Sequence, residues 1–239
     1  MRYLLFRWGW MLIDVLFPPE CGGCRAKGVR WCSDCHSRTL VIAPPICSIC
    51  GEPQREESIC RRCVEQPPSY EAVRSWAQFG GPVRNALHRL KYHRDIGMGD
   101  ILAQYLVALM KSLDWRIDII TPVPLGVQRQ RERGYNQAAL LAQPLSLGLK
   151  VAYKPKAIYR SLETQSQVGL TLLQRRENVQ GAFAAKGKEI NGKNILVVDD
   201  VSTSGATLNA CSDALLSAGA NKVYGLTLAR AARSSVKDR

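Results

Sequence analysis

Asn194-Ile-Leu-Val-Val-Asp-Asp-Val-Ser-Thr-Ser-Gly-Ala-Thr207 decides the fold. Ile195 to Val198 form an unbroken apolar run, the pattern of a strand buried on both faces of a parallel sheet. Asp199 and Asp200 follow at its C-terminal end, where open α/β sheets bind ligands. A loop over Val201–Gly205 leads to a helix opening near Ala206. Leu208, Cys211, Leu215 and Ala218 share one face of that helix, and Gly219 ends it. Cys211 is therefore read as a core residue.

The loop offers its own chemistry. Hydroxyls of Ser202, Thr203, Ser204 and Thr207, with amides at a helix N-terminus, supply several donors to one phosphate. Gly205 lets the backbone approach closely. Two adjacent carboxylates, Asp199 and Asp200, suit the vicinal hydroxyls of a ribose. Carboxylates beside phosphate repel it, so Mg²⁺ and nearby cations are expected. The implied ligand is a ribose 5-phosphate.

Upstream, Ile117–Ile120 reads as a second buried strand, followed by Thr121-Pro122-Val123-Pro124. The cationic stretch Gln128–Gln137 reads as a loop in which Arg129, Arg131 and Arg133 hold pyrophosphate. A helix with Ala138, Leu141 and Leu145 comes next. Val73, Ser75 and Ala77 alternate with Arg74, Trp76 and Gln78 as in a strand, and Gly80-Gly81-Pro82 turns into a helix near Val83. The polar stretch 164–170 is suited to covering a ligand.

Charge agrees with an anionic ligand. Net charge is +13, and residues 76–239 carry 23 Lys/Arg against 12 Asp/Glu. Charge alone does not separate a nucleotide from a nucleic acid.

Eight of the nine cysteines form four Cys-x-x-Cys pairs: Cys21/Cys24, Cys32/Cys35, Cys47/Cys50 and Cys60/Cys63. Such knuckles turn two thiolates toward one tetrahedral ion, and four pairs make two closed, structural zinc sites. Spacing allows a sequential pairing (one with two, three with four) or a cross-braced one (one with three, two with four). Disulfides are not expected in a reducing compartment, and four pairs in so short a stretch do not fit redox catalysis. Gly and Pro are frequent between the pairs, so the segment is expected to fold only with metal bound. His36 is read as a surface residue.

Residues 1–17 read as an amphipathic helix carrying Leu5, Trp8 and Leu12 on one face. It suits docking on the body of the protein, or peripheral contact with a membrane surface or a partner. Arg7 and Asp14 interrupt the apolar stretch, and no cleavage site follows, so a signal peptide is not expected. No apolar run approaches the ~20 residues of a transmembrane helix. A cytoplasmic location, with contact at the inner membrane face as an option, is the expectation.

The run Val197–Thr207 closely resembles the phosphoribosyl pyrophosphate (PRPP) motif of type I phosphoribosyltransferases. The resemblance implies that Asp199 and Asp200 hold the ribose hydroxyls, and that Thr203, Ser204, Gly205 and Thr207 hold the 5′-phosphate. Ser202 and Ala206 lie beside them. Thr203-Ser204-Gly205 stands where Thr-Thr-Gly is frequent, a conservative change. Over nearly the whole chain the sequence resembles the ComF family of competence-associated proteins, especially its DNA-utilisation branch. The matching residues are Leu16-Phe17-Pro18-Pro19, the four cysteine pairs, Leu90-Lys91-Tyr92, Pro122-Val123-Pro124, Arg131 to Gln137, Thr164 with Gln167, Arg175 to Val179 and the PRPP loop. Gln165-Ser166 stands where Pro-Pro is common in the family.

The resemblance implies an α/β protein: a double zinc ribbon over residues 18–66, then a phosphoribosyltransferase-like domain over 70–233 with a mostly parallel sheet between helices. It implies handling of imported single-stranded DNA or its products, with PRPP as a ligand. Trp76, Tyr92 and Tyr135 lie near cations and are candidates to stack on bases. One alternative is an active Mg-dependent phosphoribosyltransferase of nucleotide salvage, with Asp199 and Asp200 as the catalytic candidates, in which fixed cations stabilise leaving pyrophosphate; the sequence assigns no general base, although Asp200 could serve. Another is a zinc-ribbon scaffold that docks a helicase-type DNA-uptake protein. The polar tail 232–239 is expected to fray.

Overall fold

Five strands pair in parallel through the centre of the molecule, known from a computed structural model that describes residues 18–161 and 181–231. The predicted N-terminal helix, the stretch 164–170, the block 175–179 and the tail lie outside the described residues. The strands are β1 (Ala72–Gln78), β2 (Ile119–Pro122), β3 (Ala152–Tyr153), β6 (Asn194–Ser202) and β7 (Lys222–Arg230), in the order β1-β7-β6-β2-β3. Two short strands, β4 (Ile158–Arg160) and β5 (Phe183–Ala185), form a separate antiparallel pair, and the one-turn helix α7 (Gly187–Ile190) follows them. From β2 the chain steps outward to β3, then returns to build β6 and β7 on the other side. The junction of β2 and β6 is thus the switch point, where such sheets open a crevice at their C-terminal edge.

The period of two along β6 feeds two separate cores. Leu196 and Val198 face one side, with Leu87 and Leu90 of α3 (Gly81–Tyr92), Leu102 and Leu106 of α4 (Gly97–Lys111), and Leu141 and Leu145 of α6 (Gln137–Leu149). Ile195 and Val197 face the other, against Leu208, Cys211 and Leu215 of α8 (Ala206–Ser217). Each such buried Leu or Ile contributes about 1.5–3 kcal/mol. Cys211 is fully buried, as read from its spacing.

The cysteine-rich segment is laced onto β1, the sheet's edge. Ile42 N–H donates to Trp76 O at 2.9 Å, and Gln78 N–H to Leu40 O at 2.8 Å, so residues 40–42 cover the edge's unpaired groups. The first module, with α1 (Ser33–Ser37), packs on the α3/α4 side: Gly22 lies against Met98, and Arg30 pairs with Asp95 at 3.3 Å. The second, with α2 (Arg61–Glu65), packs on the α8 side. At Gly51 φ is +70°, and a Cβ there would lie 2.6 Å from Val73 O, so only glycine fits that close approach.

Three expectations need correction. The second strand is Ile119–Pro122, two residues later than read. The cationic stretch is a helix, α5 (Val127–Arg133), with no buried residue, where a loop was expected. Trp76 is 6% exposed and stacks on Tyr105 at 4.2 Å, which removes it from the candidates for base stacking.

Candidate functional site

β2 stops at Pro122, opposite Val198. β6 runs on to Ser202, paired only with β7 over its last residues. Beyond this step a cleft of about 710 Å³ opens. Asp199, Asp200, Ser202, Thr203, Gly205, Ala206 and Thr207 line it, with Arg129 and Arg133 of α5. Arg131, midway between those two on the helix, is not among the lining residues, and neither is Ser204. Three positive side chains from other elements, Lys91, Arg94 and Arg160, complete the wall, and Arg133 lies over the ring of exposed Tyr92 at 5.2 Å.

The acidic pair is split by the strand. Successive side chains point to opposite faces, so Asp200 looks toward α3, where Lys91 closes an ion pair on its carboxylate. Asp199 looks toward α8, where its charge helps push the Cys211 thiol up after burial has done so. Burial, then the neighbouring Asp200 charge, holds the Asp199 carboxyl well above the usual range. Burial works the same way on Asp200, but Lys91 outweighs it and holds that carboxyl below its ordinary value.

The Arg131-Glu132-Arg133-Gly134-Tyr135-Asn136-Gln137 block is a clamp. Gly134 ends α5 at φ +79°. Tyr135 donates its hydroxyl to Leu90 O at 2.5 Å, fixing the turn of α3 that carries Lys91. Asn136 accepts from Ala138 N–H at 2.9 Å as the N-cap of α6, and donates to Val123 O at 2.8 Å. Gln137 accepts from Arg133 at 2.8 Å. Tyr135 is thereby committed to packing, and Tyr92, 62% exposed, is the stacking candidate that faces solvent.

Each Cys-x-x-Cys module gathers four sulfurs. Cys21, Cys24, Cys32 and Cys35 lie within 4.8 Å of one another, and so do Cys47, Cys50, Cys60 and Cys63. The pairing is sequential, which excludes the cross-braced alternative. The Cys21–Cys32 and Cys50–Cys60 separations of 3.6 Å match the edge of a tetrahedron with Zn–S near ~2.3 Å. Burial opposes ionisation of Cys21, yet amides of Cys32, Cys24 and Gly23 outweigh it and bring the thiol down to about 6. Amides of Cys60, Cys50 and Ile49 do the same for Cys47, also to about 6. Both sets fit a structural Zn²⁺. His36 is exposed and stacks on Tyr105 at 5.3 Å.

Lys91, Arg94 and Arg160 were not assigned to the site by sequence. Leu90-Lys91-Tyr92 stood out as a motif without a role, and its place in the last turn of α3 explains it.

No helix among the described residues is long and apolar enough to cross a membrane. Residues 12–64 match the double zinc ribbon domain, and residues 126–239 the phosphoribosyl transferase domain. DNA utilization protein YhgH of Escherichia coli O157:H7 is 33% identical, over 89% of this chain and 97% of its own length. Competence protein F of Haemophilus influenzae is 32% identical, over 84% and 90% respectively. Competence protein ComFC of Bacillus subtilis is 29% identical, over 92% and 89%. The chain belongs to the ComF family of competence and DNA-utilisation proteins, with a double zinc ribbon ahead of a phosphoribosyltransferase-like α/β domain.

Proposed function

We propose that the protein is a ComF-type DNA-handling factor whose cleft binds a ribose phosphate, PRPP with Mg²⁺, and whose basic rim engages single-stranded DNA. The observation that carries this is the convergence of the acidic pair, the hydroxyl-and-glycine loop and five cations, Lys91, Arg94, Arg129, Arg133 and Arg160, on one cleft. In this reading the loop from Ser202 to Thr207 takes the 5′-phosphate. Asp199 and Asp200 take the ribose hydroxyls, and Arg129 and Arg133, one helical turn apart, take pyrophosphate. Ser204 acts from behind the loop, its hydroxyl accepting from Ala206 N–H at 3.3 Å.

The donor set fits Mg²⁺. A strand that turns its two carboxylates apart offers one at a time, which suits an ion held mainly by phosphate oxygens and water. Bound there, Mg²⁺ would supply charge neutralisation on the phosphates.

Turnover as a phosphoribosyltransferase is a second reading. It is favoured by the cations that line the same cleft as the acidic pair, able to stabilise negative charge developing on leaving pyrophosphate. Docking of a helicase-type protein on the zinc modules is favoured by exposed apolar residues there, Leu40, Val41, Ile59 and Val64.

The DNA arm is tested by fluorescence anisotropy of a labelled oligonucleotide across a salt series. Affinity should fall steeply with salt. Tyr92→Ala should weaken binding about tenfold with the salt slope unchanged, while Arg133→Ala should lower the slope by about one. Binding that ignores salt, or that Tyr92→Ala and Arg133→Ala both leave intact, would remove DNA from this face.

A further inference from the structure

Two arginines sit side by side inside the last cysteine pair, Cys60-Arg61-Arg62-Cys63. Around a one-turn helix they point in different directions. Arg61 lies out in solvent, 2.5 Å from Glu65. Arg62 reaches across to the other domain, and its Nη1 donates to the carbonyl oxygen of Ser204 at 2.6 Å.

That carbonyl belongs to the middle of the phosphate loop. In a trans peptide the C=O and the following N–H point in opposite directions. The Ser204–Gly205 peptide is trans, since Pro44-Pro45 is the only cis bond among the described residues. Drawing Ser204 O toward the zinc module therefore turns Gly205 N–H the other way, toward the cleft. The loop separates two cavities: Ser204 and Arg62 line only a smaller one of about 300 Å³ behind it, Thr203 and Thr207 line only the cleft, and Gly205 and Ala206 border both. Further contacts brace the same seam. Gly205 holds φ +80°, and a Cβ there would meet the Tyr70 hydroxyl at 3.0 Å. Ser69 N–H donates to Asn209 Oδ1 of α8 at 2.8 Å. Arg230, at the end of β7, donates to Cys50 O at 2.8 Å and to Glu52 at 2.6 Å. The first module instead contacts α3, the turn at Asp95 that follows it, and β1, away from the phosphate loop.

We propose that Arg62 is a positioning residue for the phosphate loop: the second cysteine module holds the Ser204–Gly205 peptide so that its amide faces the 5′-phosphate. The proposal rests on the reading of the cleft as a ribose-phosphate site. Arg62 touches no ligand itself. Its effect belongs to the 5′-phosphate and not to pyrophosphate, which the arginines of α5 would hold.

The experiment titrates the full-length, zinc-loaded protein calorimetrically with ribose 5-phosphate and, separately, with pyrophosphate. It compares wild type, Arg62→Met and Arg62→Lys, with zinc content measured in each. The amide resonance of Gly205 is followed in the free proteins. Loss of one charge-assisted hydrogen bond should weaken ribose 5-phosphate about tenfold in Arg62→Met, leave pyrophosphate affinity unchanged and shift the Gly205 amide. Arg62→Lys, which keeps a donor and the charge, should be intermediate. If Arg62→Met lost a zinc ion, Arg62→Lys with both ions retained decides alone. Wild-type affinity for ribose 5-phosphate in a two-zinc variant would overturn the role of Arg62 and spare the cleft. Equal weakening for both ligands would also overturn it. A wild type that binds no ribose 5-phosphate would instead bring down the reading of the cleft, and this inference with it.

Discussion

Lys91 and Asp200 form an ion pair at the floor of the cleft, with the carboxylate side chain 6% exposed and the lysine 22%. The pair joins the last turn of α3 to the strand that leads into the phosphate loop. Tyr135 braces the same turn through Leu90 O. The Leu90-Lys91-Tyr92 and Gly134-Tyr135-Asn136 motifs, distant in sequence, therefore serve one purpose.

Removing the lysine should be costly for that reason. Lys91→Met leaves a buried carboxylate without its counter-charge, and the expected loss of stability is about 3 kcal/mol. Lys91→Met/Asp200→Asn should recover more than half of it. Urea denaturation of the four proteins of the cycle gives the coupling. Additive losses would mean that the pair is not the partner that keeps Asp200 ionised.

Asp199 should behave in the opposite way. Its folded carboxyl is held well above the usual range by burial and by Asp200. The folded state thus binds that proton more tightly than the unfolded chain. This contribution is fully present below the unfolded value near ~3.9 and is lost as pH rises through the raised folded value. Asp199→Asn removes the penalty, so the ligand-free variant should melt a few degrees higher than wild type at pH 8. The gain should vanish near pH 4. Asp200, held low by Lys91, has the reverse sign: its contribution is present above the usual carboxyl range and is lost as pH falls through the lowered value. A lower melting temperature for Asp199→Asn at pH 8 would contradict this assignment. A residue that destabilises the resting fold at neutral pH fits one retained for binding.

The two cysteine modules should be separable by optical signals. Trp31 of the first lies 6.5 Å from Trp76, which stacks on Tyr105. Cys21→Ser should lower zinc content from two ions to one per chain and shift tryptophan emission to the red. Cys47→Ser should also lose one ion, with a much smaller emission change. Identical spectra for the two variants would show that the modules do not dock as described.

Legibility in the sequence followed locality. The β6–loop–α8 unit could be read because its signals are consecutive: an apolar run, two acids, hydroxyls, a glycine, then a helical stripe. The cations Lys91, Arg94 and Arg160 could not be assigned, because each reaches the cleft from a separate element. The α5 helix was missed for a different reason. It buries no residue, so it has no apolar face for periodicity to register. Cysteine spacing was compatible with either zinc pairing, and only the positions of the eight sulfurs separate them. Trp76 alternates as a strand residue should, but its neighbours do not reveal that the first zinc module covers its face.

The central claim is that the cleft at the end of β6 is a working ribose-phosphate site. Its most direct test is calorimetric titration of the full-length, zinc-loaded protein with Mg²⁺-PRPP, beside Asp199→Asn/Asp200→Asn. Saturable one-to-one binding by wild type, lost or weakened at least about a hundredfold in the variant, is the predicted result. A folded wild type that takes up no PRPP, or a variant that binds it equally well, would contradict the account.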